Sequence, residues 1–197
     1  MARTQSERYP EIRQNILKQA ARLFADKGYA GTTIIDLAEA CESSRGALYH
    51  YFGSKEDILF HILDEHVRLL FDQIQAAVQS KTEPLDQCRA VIETMVTINA
   101  DSQNEQVVLL NELGELSTEQ QRDIVAVQRQ ITETVGDILI RIDSRHRLTT
   151  RTKKIYAMML FGIINYTFAW YDPKGPVGPD EYAAMTSELF VRGLTGD

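Results

Sequence analysis

The side chains from Arg45 to His50 could read nucleic acid, because they combine a cation, two small residues and two hydrogen-bonding rings in a short segment. The Arg45 guanidinium can donate two hydrogen bonds to guanine O6 and N7. Gly46 and Ala47 let the backbone approach a groove closely, and the Ala47 methyl group can contact a thymine methyl group. Phosphates could be contacted by the polar side chains of Ser44, Tyr49, His50 and Lys55.

Two short helices must hold the side chains of residues 45–50 toward solvent. Thr33, followed three residues later by Asp36, predicts a capped helix start, and an apolar stripe at helical spacing follows it. Residues 42–44 favour a turn, with Ser44 as the cap of the second helix. An ordinary helical hairpin with a solvated polar face is the alternative. The order of cap, helix, turn, helix and a further cap at Ser54 favours nucleic-acid binding.

The same segment resembles the amino-terminal signature of TetR-family transcriptional regulators. The residues that carry the resemblance are Gly28-Tyr29, Thr32-Thr33, Asp36-Leu37-Ala38, Gly46-Ala47-Leu48-Tyr49-His50-Tyr51-Phe52 and Ser54-Lys55. By position, the resemblance implies phosphate contacts from Thr33, Ser43, Ser44, Tyr49, His50 and Lys55, and base contacts from Arg45, Gly46 and Ala47. The turn departs from the family pattern, because Glu42 and Ser43 stand where glycine and valine are common.

Helical periodicity continues along the rest of the chain, and no convincing alternating strand appears, so the sequence predicts an all-α protein. The predicted longer helices are Arg13–Lys27, Lys55–Gln79, Pro84–Ala100, Glu105–Leu113, Thr118–Ile142, Arg151–Tyr171 and Asp180–Leu194. We expect residues 1–54 to form a three-helix DNA-binding domain with a helix-turn-helix. Residues 55–197 are expected to form a larger helical domain for ligand binding and dimerisation.

The charge distribution limits where nucleic acid can bind. The formal charge is −7, which argues against a protein that coats nucleic acid through a broad basic surface. Residues 1–58 carry eight Lys and Arg against eight Asp and Glu, so residues 59–197 hold the whole negative excess. We therefore expect the DNA-binding surface in the amino-terminal part.

Cysteine usage and hydropathy predict a reduced, cytoplasmic protein without a membrane span. Cys41 and Cys88 are the only cysteines, and their spacing matches no metal or redox motif. No apolar run approaches the roughly 18 residues of a membrane helix, and no signal-peptide pattern begins the sequence. His61 and His66 would project about 140° apart on a helix, so they would not share one metal ion. We expect no metal or cofactor.

The last two predicted helices carry large apolar side chains around much of their circumference. Such helices need burial on two sides, and a second copy of the chain is the simplest partner. The resemblance implies a dimer built on a four-helix bundle from these helices. A monomer with a thick core is the alternative. A homodimer would suit a palindromic operator, because it presents paired recognition helices.

A ligand cavity is expected in the larger domain. The candidate polar groups are His61, Asn111 and Asn165, and the candidate walls are Met95, Leu110, Met158, Phe161 and Trp170. A basic cluster that includes Arg147 and Arg151 could hold an anionic group, because arginine forks match phosphate geometry. The segment from Trp170 to Pro176 is similar to the last inter-helix loop of family members that respond to acyl-CoA thioesters, so an acyl-CoA effector is one hypothesis.

These observations favour a ligand-responsive transcriptional regulator, more specifically a repressor that an effector releases from DNA. An enzyme is not expected, because no Gly-rich phosphate loop, nucleophile elbow or paired-cysteine metal site appears in the sequence. A helical protein-interaction module is the alternative, although it leaves the polar face from Ser43 to His50 unexplained. Salt-dependent operator binding would separate the two, since phosphate contacts release counterions.

Overall fold

A computed structural model describes residues 5–195 of the protein, with side chains from residue 9 onward. These residues form nine α-helices and no strand, which confirms the all-α prediction. The helices are α1 (Gln5–Lys27), α2 (Ile34–Ala40), α3 (Arg45–Tyr51), α4 (Lys55–Gln79), α5 (Pro84–Asp101), α6 (Gln103–Glu112), α7 (Thr118–Ile142), α8 (Lys153–Asn165) and α9 (Pro179–Thr195). No described helix is both long enough and apolar enough to cross a membrane.

The described residues divide into two compact units. The first unit contains the described residues up to His66 together with Asn104–Ile124. The second contains Val67–Gln103 and the described residues from Val125 onward. The helix α4 contributes its first half to one unit and its second half to the other.

The core of the first unit explains how α2 and α3 are held. Buried side chains of α1, Ile16 and Phe24 among them, share this core with Leu37 of α2 and Leu48 of α3. Removing each of these side chains from water contributes about 1.5 to 3 kcal/mol. Ile12, one turn before Ile16 in α1, is 40% exposed. Among the described side chains, the buried stripe of α1 therefore begins at Ile16.

The second unit has its own core, in which α5 packs along α9 and also contacts α8. Ile92 and Met95 of α5 are buried there, as is Leu160 of α8. A polar contact joins α7 to α5 in this unit, because Arg141 donates to the Gln87 side-chain oxygen at 2.6 Å. Leu69 in the second half of α4 lies outside the core and is 45% exposed.

One helix ends earlier than its apolar pattern predicted. The pattern continues to Tyr171, whereas α8 ends at Asn165 and a 3₁₀ turn follows at Tyr166–Ala169. At this point the carbonyl oxygen of Ile164 accepts hydrogen bonds from the Thr167 hydroxyl at 2.8 Å and from the Asn99 amide at 3.4 Å. Side-chain donors thus occupy a carbonyl oxygen that would otherwise accept the next backbone hydrogen bond of the helix.

The turn between α2 and α3 places a glutamate in the left-handed region. Glu42 has φ of 49°, and the backbone N–H groups of Glu42 and Ser43 donate to the carbonyls of Glu39 and Ala38 at the end of α2. This hydrogen-bond pattern is a Schellman motif, in which glycine is the preferred residue at the left-handed position. The motif forms here without glycine, at the cost of backbone strain at Glu42.

We expect Glu42→Gly to stabilise the protein by about 1 kcal/mol, because glycine adopts positive φ without a Cβ clash. Urea unfolding of the variant and of the wild type measures the difference. Glu39→Gly is the matched control, since Glu39 is also exposed but lies within α2. There glycine should cost about 1 kcal/mol. Equal destabilisation by both substitutions would contradict the strain at Glu42.

One histidine of the first unit is buried. His66 of α4 is 4% exposed, and its Nε2–H group donates to the side-chain oxygen of Gln106 at 3.0 Å. Burial lowers the pKa of His66 below its ordinary value of 6.5, although the Gln106 hydrogen bond and the Glu105 charge partly oppose the shift. The folded protein therefore holds this imidazole neutral.

The folded state should lose stability as the pH falls below about 6.5, because the unfolded chain then takes up a proton that folded His66 does not. His66→Gln should remove this part of the pH dependence while keeping a side chain that can pair with Gln106. Denaturant unfolding at pH 7.5 and pH 5.5 measures the difference in the free energy of unfolding between the two pH values. The exposed His50→Gln control should retain the wild-type difference. An unchanged difference in His66→Gln would contradict the assignment.

Candidate nucleic-acid interface

The first turn of α2 is fixed by a reciprocal pair of hydrogen bonds. The Thr33 side-chain oxygen accepts from the Asp36 backbone N–H at 3.2 Å, and Asp36 accepts from the Thr33 backbone N–H at 2.7 Å. The hydrogen bonds from Thr33 lower the pKa of Asp36 to about 2, so its carboxylate is ionised at neutral pH. This confirms the predicted capping box. The phosphate contact expected from Thr33 stays a prediction.

The start of α3 is capped as the sequence predicted. The Ser44 side-chain oxygen accepts from the Ala47 backbone N–H at 3.2 Å, while Leu48 and Phe52 are buried. The opposite face points outward. Of the predicted DNA-contacting residues in this segment, Ala47 is half-buried. The others are exposed, and they are Ser43, Ser44, Arg45, Gly46, Tyr49 and His50.

A groove of about 650 Å³ runs along this face. Its lining combines the first turn of α2 with the start and middle of α3, through Thr33, Ile34, Ile35, Ser44, Arg45, Gly46 and Tyr49. Most of these side chains present hydroxyl or guanidinium groups. The groove therefore offers hydrogen-bond donors to an anionic or base-edge partner, with one apolar patch at its α2 side.

Two residues that sequence reasoning did not single out belong to this region. Ile35 is 54% exposed within the groove lining, although isoleucine usually packs inward. Tyr9 of α1 packs its ring 4.6 Å from the Tyr51 ring and edge-on to His50 at 6.3 Å. Periodicity could have found Ile35, because it falls beside the buried stripe of α2. The Tyr9 contact depends on tertiary packing.

Lys55 lies where α4 begins, and its ammonium group is used within the protein. It donates to the carbonyl oxygens of Tyr29 at 2.8 Å and Thr32 at 2.9 Å, and it lies 4.0 Å from the centre of the Tyr29 ring. The Ser54 side-chain oxygen accepts from the Asp57 N–H, which confirms the predicted cap of this helix. Lys55 thus ties α4 to the turn after α1, and its phosphate contact stays a prediction.

Three of the ten proposed ligand-binding residues belong to the first unit. His61 is half-buried beside Phe52, with its Nε2 atom 3.6 Å from an Asp57 oxygen. Leu110 and Asn111 are exposed. No group of three or more His, Cys, Asp or Glu among residues 5–195 could hold a metal ion.

The ligand candidates in the second unit differ in how far they are exposed, and their ligand contacts stay predictions. Met95 and Phe161 are buried, whereas Met158 and Trp170 are 52% and 63% exposed. The sequence could not assign the inner side of α8, because that helix is apolar around most of its circumference. The side-chain oxygen of Asn165, another ligand candidate, accepts a hydrogen bond from the Asn99 side-chain amide at 3.1 Å.

One arginine of the basic cluster makes contacts within the protein, and the anion contact expected of this cluster stays a prediction. The Arg147 guanidinium donates to the carbonyls of Gly193 and Leu194 at 2.6 and 2.8 Å, and it lies 3.6 Å from the buried carboxylate of Asp143. Its charge therefore caps the carboxyl end of α9, where cations are favourable. Arg151 of the same cluster is exposed.

Comparisons with known proteins agree with this geometry. A family model described as bacterial regulatory proteins of the tetR family matches residues 16–62, which contain α2 and α3. A second model, the tetracyclin repressor-like C-terminal domain, matches residues 81–194. The chain belongs to the TetR family of transcriptional regulators. The resemblance seen in the amino-terminal motifs is therefore confirmed, and it extends over most of the chain.

Individual relatives of this TetR-family protein cover nearly its full length. The transcriptional repressor KstR2 of Mycobacterium tuberculosis is 30% identical over 93% of this chain and 92% of its own. A TetR-family regulator from Bordetella parapertussis 12822 is 35% identical, with a TM-score of 0.87 over 91% of this chain and 93% of its own. AibR, in its structure with isovaleryl coenzyme A and operator DNA, is 25% identical in sequence. Its TM-score is 0.79, over 91% of this chain and 98% of the AibR chain. These relatives are transcriptional regulators, as the sequence led us to expect.

The contacts of Lys55 predict a structural effect of its removal. Lys55→Met should lower the stability of this TetR-family protein by about 1 to 3 kcal/mol, because two carbonyl groups lose a charged donor. Thermal and urea unfolding measure the loss. Arg45→Ala is the control, since Arg45 is exposed and should leave stability nearly unchanged. Wild-type stability in Lys55→Met would show that the ammonium group does not hold this turn in solution.

Proposed function

We propose that this protein is a ligand-responsive transcriptional repressor that binds a palindromic operator as a homodimer and is released by a small effector, an acyl-CoA thioester. The observation that carries the proposal is the outward face of α3, capped at Ser44 and free of core packing. In this proposal residues 1–54 read DNA, and residues 55–197 bind the effector and form the dimer.

The DNA contacts divide into two kinds. The exposed Arg45 guanidinium suits a bidentate contact to guanine, and Gly46 beside it lets the backbone approach the base edges. Hydroxyl groups at Ser44 and Tyr49 suit phosphates, which fix the register of the protein on the duplex without reading its sequence. Direct sequence readout is therefore assigned to the first turn of α3.

The homodimer is supported by exposed apolar side chains on α8, on α9 and on the segment between them. Large side chains that are more than half exposed follow one another there, and they are Ile155, Met158, Met159, Tyr166, Trp170, Met185 and Leu189. An open groove of about 520 Å³ is lined by Ile163, Tyr182, Met185 and Leu189 together with polar neighbours. Large apolar side chains that form a contiguous exposed patch usually mark an interaction site. A second copy would bury it by matching the same helices.

The effector class rests on similarity and on the chemistry of the second unit. The related AibR binds isovaleryl coenzyme A in its structure with operator DNA. The loop after α8 in this chain carries an aromatic group, in which Tyr171 stacks on Tyr182 at 4.9 Å and Trp170 lies edge-on to both. An acyl chain is apolar enough to suit such surroundings. A ligand that prefers the conformation with misplaced α3 helices weakens DNA binding by its difference in affinity between the two conformations.

A helical protein-interaction module is the second candidate, and its supporting observation is the same exposed apolar surface of α8 and α9. It would bind another protein through that surface and show no sequence preference on DNA. The exposed Arg45 and the small residue after it then have no role. We therefore rank it second.

Selection from a random DNA pool tests the function. The purified protein would retain DNA with and without a panel of acyl-CoA thioesters and free fatty acids, and the retained DNA would be sequenced. An enriched palindrome that is lost with one acyl-CoA supports the whole proposal. A palindrome that no ligand affects would reject the effector class but keep the regulator. No enriched motif under any condition would favour the interaction module.

Arg45 and Tyr49 are expected to contribute differently to DNA binding. Arg45→Ala should relax the base preference at one position of each half-site and cost about 1 to 3 kcal/mol, because a guanine loses its bidentate partner. Tyr49→Phe should weaken binding equally on all sequences, because it removes a phosphate contact. Binding assays on the selected operator and on single-base variants measure both. An equal loss on all sequences for Arg45→Ala would contradict its base-reading role.

Leu189, which is 69% exposed on α9, tests the dimer. Leu189→Glu should raise the dimer dissociation constant by about 30-fold or more, because a buried charge would lack a partner. Analytical ultracentrifugation measures the mass, and the variant should also lose affinity for the palindrome. Leu69→Glu is the matched control, since it adds the same charge to an exposed leucine of α4. A Leu189→Glu variant that stays dimeric would contradict this interface.

A further inference from the structure

Ile35 is an exposed apolar side chain within a groove whose other exposed side chains are polar. It lines the groove together with Arg45, Gly46 and Tyr49 of α3, and 54% of it is exposed. The neighbouring residue Ile34 is half-buried. A single exposed apolar residue needs no explanation on an ordinary surface. This one lies among the residues assigned to base reading, where its chemistry has a matching partner.

The backbone under Ile35 is held in place before any partner binds. Ile35 is the second residue of α2, between Thr33 and Asp36, whose side chains and backbone groups bond to each other. A β-branched side chain in a helix has one strongly preferred χ1 rotamer. Ile35 therefore presents a fixed methyl surface to the groove and loses little conformational freedom on contact.

Only one base edge in the major groove offers an apolar group, and it is the C5-methyl group of thymine. We infer that Ile35 reads a thymine in each half-site by packing against this methyl group. The inference rests on the proposed function, and it adds a specificity-determining residue on α2 to those on α3. Ala47 was the sequence-based candidate for such a contact, but its side chain is half-buried and smaller.

Chemical deletion of the methyl group tests the inference directly. In the selected operator, each thymine of the half-site would be replaced in turn by deoxyuridine, which keeps the hydrogen bonds of thymine and lacks only the methyl group. At one position, the wild-type protein should lose about fourfold in affinity per half-site, the factor expected for burying one methyl group. Ile35→Ala should bind the thymine operator more weakly and show no further loss at that deoxyuridine.

Two control variants separate Ile35 from other sources of the effect. Ile12→Ala removes another exposed isoleucine of the first unit that lies outside the groove lining, so it should keep the wild-type sensitivity to deoxyuridine. Ala47→Gly should also keep it if Ile35 makes the contact. Thermal unfolding of all variants checks that they are folded, which is expected because Ile35 packs little surface into the core.

Three results would overturn the inference. The first is wild-type binding that is insensitive to deoxyuridine at every position of the operator. The second is sensitivity that persists in Ile35→Ala and vanishes in Ala47→Gly, which would assign the contact to Ala47. The third is wild-type protein without sequence-specific binding to any DNA, which would reject the proposed function itself and is recognised before any deoxyuridine is introduced.

Discussion

The whole DNA-facing surface depends on satisfying the free backbone N–H groups of two helices of seven residues each. Isolated helices shorter than about 12 residues are marginal in water, so α2 and α3 need outside support. Thr33 and Ser44 supply it at the amino ends, and the burial of Leu37 and Leu48 supplies it along one side. Caps and core leave each helix only one face for a partner. The same constraint that stabilises the helices therefore also selects which side chains can meet DNA.

Several cationic side chains in this acidic protein contact carbonyl or carboxylate oxygens of the protein itself. Lys55 holds two carbonyls of the turn after α1, Arg147 caps α9, and Lys153 pairs with two carboxylates of α7 at 2.6 Å each. A run of basic residues in the sequence thus does not identify an anion site, because backbone carbonyls and carboxylates compete for the same donors. Arg45 differs, since it extends from the outer face of α3. Its exposure, more than its charge, makes it a candidate for base reading.

In the second unit, the helix α8 supplies side chains to the core and also exposes apolar side chains to solvent. Ala157, Leu160 and Ile164 of α8 are buried, while Met158 and Met159 on the same helix are more than half exposed. Such a helix is apolar on both sides because each side has its own partner in the proposed dimer. The break at Asn165 then directs the chain into the aromatic loop before α9. The proposed dimer interface and the proposed effector site therefore lie on segments next to those that form the core.

The local features of the structure could be predicted from the amino-acid sequence. It predicted the all-α fold, the bounds of α4 and α7, and the caps at Thr33, Ser44 and Ser54, because capping and periodicity act over three or four residues. Three features became clear only from the packed structure: the side of α8 that faces the core, the end of α8 at Asn165, and the binding of Lys55 and Arg147 to carbonyls within the protein. These outcomes depend on groups far apart in the chain that compete for the same donors, acceptors and apolar surface. Periodicity within one helix carries no information about that competition.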